Sequence, residues 1–129
     1  MVSDPIADFL IALKNGSRAR KSLVIAPYSK IKFEIAELLS KKGFIGMVAK
    51  KGKKKLFLEV GLLYNEKDPR ITDVKKVSKS SRRIYKQAKE IYPYKSGKGL
   101  TVFSTPKGIL EGSDARKQKV GGEVLFSIY

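Results

Sequence analysis

Two hydroxyls, two glycines and one carboxylate sit close together near the carboxyl end of this chain, at Ser104-Thr105, Gly121-Gly122 and Glu123. A hydroxyl donates one hydrogen bond and accepts two, whereas a carboxylate only accepts. A glycine lets backbone approach something closely, or turn where a Cβ would clash. Together they make a compact polar platform at which hydrogen bonds form without bulk. Glu123 repels phosphate but can accept from base amino groups or sugar hydroxyls. It could equally orient a neighbouring Arg or Lys, and the residues alone leave both readings open.

Bond-breaking chemistry finds no support. The chain has no cysteine and no histidine, so Ser-His-Asp and Cys-His arrangements cannot be built from it. A zinc site would need carboxylates alone, which that metal rarely accepts. The phosphate-cradling spacing of a P-loop is missing. Of the carboxylates near Glu123, Asp114 is expected in the first turn of a short helix, where it complements the helix dipole, and Glu111 is expected as a loop charge. The chain is therefore expected to be no enzyme, with no cofactor and no metal.

Charge points to a polyanion. Twenty-eight Lys and Arg stand against twelve acids, a net +16 in 129 residues. Such a balance attracts phosphate polymers and costs self-repulsion without one. The cations are uneven: residues 50 to 99 hold sixteen against five acids, and residues 100 to 129 hold four against three. The middle supplies the field, and the nearly neutral end is left for recognition. No signal-peptide pattern, amphipathic basic helix or long apolar run indicates a membrane partner. Without cysteines there is no disulfide framework.

The elements that hold these groups can be placed in order. Ser3 is expected to cap a first helix with Ile6, Phe9, Leu10 and Leu13 on one face, ended by Asn15-Gly16. Leu23 to Ala26 reads as a strand stopped by Pro27. Ser29 caps a second helix with Ile31, Ile35, Leu38 and Leu39 inward, closed by Gly43. Strands follow from Phe44 to Ala49 and from Leu56 to Tyr64. Between them lies a hairpin tip with five lysines in residues 50 to 55. Lysine-rich tips also serve solubility, but this density favours a tip that faces phosphate.

After the polar turn Asn65 to Pro69, Ile71 to Val77 reads as a strand. A basic connector then carries Lys79, Arg82, Arg83, Lys86 and Lys89, with Tyr85, Tyr92 and Tyr94 interleaved. Tyrosines among cations can stack bases, but packing of their rings into the core under the next lobe is the favoured reading for each. Lys95-Ser96-Gly97-Lys98-Gly99 is expected as a flexible loop. Leu100 to Phe103 is a strand, Ser104 to Gly108 a turn, Ser113 the cap of one or two helical turns, and Val120 to Tyr129 holds a glycine pair and the last strand. The expected fold is α+β in two small lobes. Residues 1 to 78 form helices packed on a small sheet, and residues 79 to 129 form a lobe that is mainly β with short helices.

Several of these stretches resemble one family. Ser104-Thr105-Pro106-Lys107-Gly108, Asp114-Ala115-Arg116-Lys117 and Val120-Gly121-Gly122-Glu123-Val124-Leu125 resemble the end of the bacterial-type ribosomal protein number eight of the small subunit. Ser3-Asp4-Pro5-Ile6-Ala7-Asp8-Phe9-Leu10 with Lys14-Asn15-Gly16 resembles its start, so the likeness spans the chain. It implies a structural, monomeric RNA-binding protein of the small ribosomal subunit. The expected partners are the central domain of small-subunit (16S) rRNA and neighbouring ribosomal proteins. The family also represses its own operon in several bacteria, which makes operon mRNA a further partner that the resemblance implies.

Carried over by position, the resemblance assigns RNA contact to Ser104, Thr105, Lys107, Gly121, Gly122 and Glu123. Lys53, Lys54, Lys55, Lys30 and Tyr85 complete the candidate RNA-binding set. A departure is Pro106, where the family usually has a serine; proline brings neither a hydroxyl nor an N–H. The expected place is a ribosome in the cytoplasm, with an organellar ribosome left open. A free-standing RNA-binding translational repressor is the alternative function.

Overall fold

The computed structural model describes residues 4–66, 68–79, 81–95 and 98–129. The chain is α+β and divides into two compact units, Pro5–Thr72 and a second made of Asp4 with Asp73–Tyr129. The division falls between Thr72 and Asp73, ahead of the boundary expected near residue 78.

The first unit runs α1 (Pro5–Arg18), β1 (Leu23–Pro27), α2 (Lys30–Lys41), β2 (Ile45–Lys51) and β3 (Phe57–Leu62). The strands form an antiparallel sheet in the order β1-β3-β2. Alternation gives the sheet a covered and an open face. Val24, Ala26, Leu58 and Val60 are buried with Phe9, Leu13, Ile35 and Leu39 of the helices, while Leu23, Ile25 and Met47 remain exposed. A two-stranded hairpin, β4 (Tyr64–Asn65) and β5 (Asp68–Pro69), follows. Lys67, within the expected polar turn, lies outside the described residues, as does Ser3, the expected cap of α1.

Ser29 caps α2 as expected: its backbone is extended and its hydroxyl accepts from the Lys32 N–H at 3.2 Å. Gly43, with φ +86°, turns the chain after α2. Gly16 does something other than end α1, which continues to Arg18. A Cβ there would lie 2.6 Å from Val24 Cγ2 and 3.1 Å from Leu62 Cδ1. Glycine at this point lets the helix lie close against β1 and β3.

The second unit contains β6 (Val74–Lys76), β7 (Tyr85–Lys86), a 3-10 helix (Ala88–Glu90), β8 (Leu100–Thr105), β9 (Gly108–Glu111), α3 (Gly112–Lys117) and β10 (Gly122–Ile128). β10 is central: β8 pairs along one edge and β9 beyond it, and β6 and β7 share the other edge. Ile91, Phe103, Ala115 and Val124 form a core, with Val77, Ile84, Leu110 and Val120 packed against it. Ser78 is fully buried, and its hydroxyl donates to the Ile84 carbonyl at 3.2 Å and accepts from the Ile84 N–H at 2.9 Å. Those bonds fold the basic connector back onto the sheet and deliver Arg83 and Tyr85 to the edge of β10.

Two expectations are corrected in this unit, and one strand is added that the sequence did not suggest. The strand expected over Ile71 to Val77 contracts to β6, which pairs with Phe126 to Ile128. The stretch after the Ser104 turn is a strand, β9, so Ser104 to Gly108 closes a hairpin. The cap of α3 is Glu111 rather than Ser113: the Glu111 carboxylate accepts from the Ser113 N–H, so Glu111 is no free loop charge. Of the expected flexible loop, Ser96 and Gly97 lie outside the described residues, as does Ser80 of the connector. Lys95 is held with its ammonium 4.6 Å from the Tyr129 ring centroid.

Candidate RNA-binding interface

Strand register builds the site. Glu123 on β10 stands opposite Ser104 of β8 on one side and Tyr85 of β7 on the other. Residues directly opposite in antiparallel strands project from the same face, so a hydroxyl, a carboxylate and an aromatic ring line up across three strands. They line an open depression of about 810 Å³ together with Thr105, Gly121 and Gly122. Tyr85 is 67% exposed, which removes the core reading for that ring.

The glycine pair explains why the strands can converge here. A Cβ on Gly121 would lie 2.4 Å from the Lys86 carbonyl oxygen, and one on Gly122 would lie 2.2 Å from the Ser104 carbonyl oxygen. The close approach is by the protein's own backbone, from β7 and from β8. These glycines form the floor of the depression and fix how near its two walls stand.

Glu123 has a partner. Arg83, two residues before Tyr85, donates from Nη1 to Glu123 Oε2 at 3.0 Å. The Glu123 hydrogen bond, and secondly its charge, raise the Arg83 pKa above its ordinary value, so the guanidinium stays cationic at any working pH. The Arg83 side chain is 53% exposed and that of Glu123 16%. The acid is thus presented as one half of a pair, with a cation beside it to offset the repulsion that a phosphate backbone would meet.

Thr105 closes the β8–β9 turn: its hydroxyl donates to the Gly108 carbonyl at 2.8 Å and accepts from the Lys107 N–H at 3.1 Å. Pro106 and Lys107 are the two loop residues of this hairpin, both exposed. Proline tolerates that position because no ladder bond is asked of its nitrogen. Lys107 extends from the turn and is not among the residues around the depression.

Lys30, Lys53, Lys54 and Lys55 belong to the other unit. Lys53 to Lys55 form the exposed tip between β2 and β3, reached through Gly52 at φ +103°. The Tyr28 N–H donates to the Leu56 carbonyl at 3.2 Å, which puts the start of α2 at the same end of the sheet as that tip. Lys30 therefore joins the tip lysines in one cationic end, with the Lys50 ammonium 4.6 Å from the Tyr28 ring centroid.

The depression also includes Lys86, one of the connector cations, and Gln87, Ala88, Glu90, Pro106 and Lys119, which the sequence reading left out of the site. Gln87 and Lys119 carry no local pattern that marks them. Lys119 is placed by a left-handed turn, φ 57°, after α3. Among the described residues no cluster of acids suits a metal ion, and no helix is long and apolar enough to cross a membrane.

A family model described as Ribosomal protein S8 matches residues 4–129. The chain belongs to that family. Members with the name Small ribosomal subunit protein uS8 resemble it along its whole length. The one from Persephonella marina is 43% identical, with all of both chains covered. Those from Erythrobacter litoralis and Zymomonas mobilis are each 40% identical over 129 residues, covering 99% of this chain and 98% of theirs. The Ribosomal protein S8 match covers both compact units and every candidate residue, including the row Ser104, Glu123 and Tyr85.

Proposed function

We propose that this protein is a structural constituent of the small ribosomal subunit that binds the central domain of small-subunit rRNA directly and supports its assembly. Like its family it is a structural protein of the ribosome and not an enzyme. The observation that carries the finer reading is the row Ser104, Glu123 and Tyr85 over a floor of two glycines, with Arg83 locked to Glu123. Small hydrogen-bonding groups beside an exposed ring suit an unstacked nucleotide: its edges accept and donate, and its face can stack.

A-form duplex hides its base edges in a deep, narrow groove, so identity is read at bulged or unpaired nucleotides and at 2′-hydroxyls. The cationic end formed by Lys30, Lys53, Lys54 and Lys55 neutralises backbone phosphate without reading sequence. The partners are 16S rRNA and the ribosomal proteins beside it; the protein is a monomer when free and works on a cytoplasmic ribosome. A segment of its own operon mRNA folded like the rRNA site would meet the same platform.

Binding of a central-domain transcript, compared with a plain RNA duplex, tests the division of labour. Glu123→Ala and Ser104→Ala should weaken the transcript by roughly tenfold each, the scale of one to two lost hydrogen bonds to a charged or polar group, and should barely affect the duplex. Equal losses on both would reject it. Co-sedimentation with small subunits on a sucrose gradient separates the ribosomal role from a free-standing repressor.

A further inference from the structure

The depression at Glu123 does not stand alone. Its edge residues Gln87, Ala88 and Lys119 also line a second hollow that contains Lys89 and Arg116. Arg116 in turn lines a third hollow, of about 330 Å³, walled by Tyr92. The three share lining residues one after another, so they adjoin as a track on the second unit. Four cations, Lys86, Lys119, Lys89 and Arg116, are exposed along it.

At its far end the geometry is that of a stacking ledge. Tyr92 is 71% exposed. The Arg116 guanidinium lies 5.6 Å from its ring centroid and is tethered there, because Nη1 donates to the Ile91 carbonyl at 2.9 Å. A tyrosine backed by a fixed guanidinium, and otherwise open, is the kind of surface on which bases stack in single-stranded complexes. Volumes near 300 Å³ are also at the lower end for ligand sites. The two acids nearby are engaged by backbone: Glu111 accepts from the Ser113 N–H, and Glu90 accepts from the Gln87 N–H at 2.8 Å. Glu90 itself stays exposed and Glu123 is paired with Arg83, and the exposed cations outnumber the exposed acids along the track.

We infer that this track binds an unpaired RNA strand continuing from the platform, with phosphates over Lys119, Lys89 and Arg116 and one base stacked on Tyr92. The inference rests on the platform reading of the proposed function and adds a second nucleotide subsite to it. It commits to RNA rather than to a protein neighbour because the hollows join the platform and their exposed charge is mainly positive.

The test uses the full chain with a central-domain rRNA fragment trimmed to blunt ends, the same fragment with an oligoadenylate tail at either end, and oligoadenylate alone. For the wild-type protein one of the two tails should tighten binding about tenfold, the value of a stacked base. Tyr92→Leu should abolish that gain and leave the blunt fragment unchanged, and Tyr92→Phe should retain it. Arg116→Gln should reduce it. No gain from either tail, or equal weakening of blunt and tailed fragments by Tyr92→Leu, would overturn the inference. So would loss of subunit co-sedimentation in Tyr92→Leu with both RNAs bound normally, which assigns the ledge to a protein neighbour. If the blunt fragment fails to bind at all, the platform reading falls separately. Oligoadenylate alone then decides the ledge: binding lost in Tyr92→Leu sustains it, and equal binding overturns it.

Discussion

Glu123 acts in company. Its carboxylate is held by Arg83 forty residues earlier in the chain, at 3.0 Å, so what the depression presents is a pair with fixed orientation. If Arg83 works through Glu123, the two substitutions should not add. Binding of the central-domain transcript should fall similarly in Arg83→Met, Glu123→Gln and the double variant; additive losses would mean that Arg83 makes a contact of its own. Gly122 gives a second residue-scale prediction. An added Cβ 2.2 Å from the Ser104 carbonyl oxygen meets backbone that cannot swing aside. Gly122→Ala should therefore cost stability by about 1–3 kcal/mol in denaturant unfolding and should impair transcript binding as well. The residue types near the carboxyl end already marked Ser104, Thr105, Gly121, Gly122 and Glu123 as a polar group. Which cation would meet Glu123 was not legible, because the connector offers Arg82, Arg83 and Lys86 within five residues. Register alone distinguishes them.

At the scale of elements, caps of a preferred residue type are readable and a glutamate cap is not. Ser29 before an apolar-periodic run announces α2, and Ser29→Ala should cost about 1 kcal/mol. Ser113→Ala should change stability by less than about 0.5 kcal/mol, as surface substitutions do, because the cap of α3 is the Glu111 carboxylate. Chemical denaturation of both variants checks the contrast. Gly16 looked like a helix terminator and instead lies in a helix pressed against Val24 and Leu62. A glycine's sequence neighbours do not say whether it frees the backbone or removes a side chain. β9 escaped because four residues after a proline-containing turn are too few to show alternation; it exists because β8 offers an edge to pair with.

For the whole molecule, the excess positive charge sets how strongly salt acts. Replacing Lys53, Lys54 and Lys55 together with Gln should lower affinity for every RNA. It should also flatten the plot of log affinity against log salt by up to about two units, taking roughly 0.7 per phosphate contact on unpaired RNA. An unchanged slope would make the tip a solubilising edge. The division of the chain is also a whole-molecule property. The change in composition suggested a boundary near 78, yet β6 at Val74–Lys76 pairs with Phe126 to Ile128. Partners about fifty residues apart leave no local mark.

By itself the sequence determined the α+β class, the positions of α1, α2 and most strands, the excluded catalytic chemistries, and a basic middle beside a nearly neutral end. These follow from residue type and short-range periodicity, which act within a turn or a strand. Only the tertiary structure decided that Ser104, Glu123 and Tyr85 form one row, that Arg83 holds Glu123, and that Lys119, Arg116 and Tyr92 extend the depression into a track. Each of those facts is a meeting of side chains far apart in the chain. Pairing register and close backbone approach settle such meetings, and both are fixed only when the strands pack.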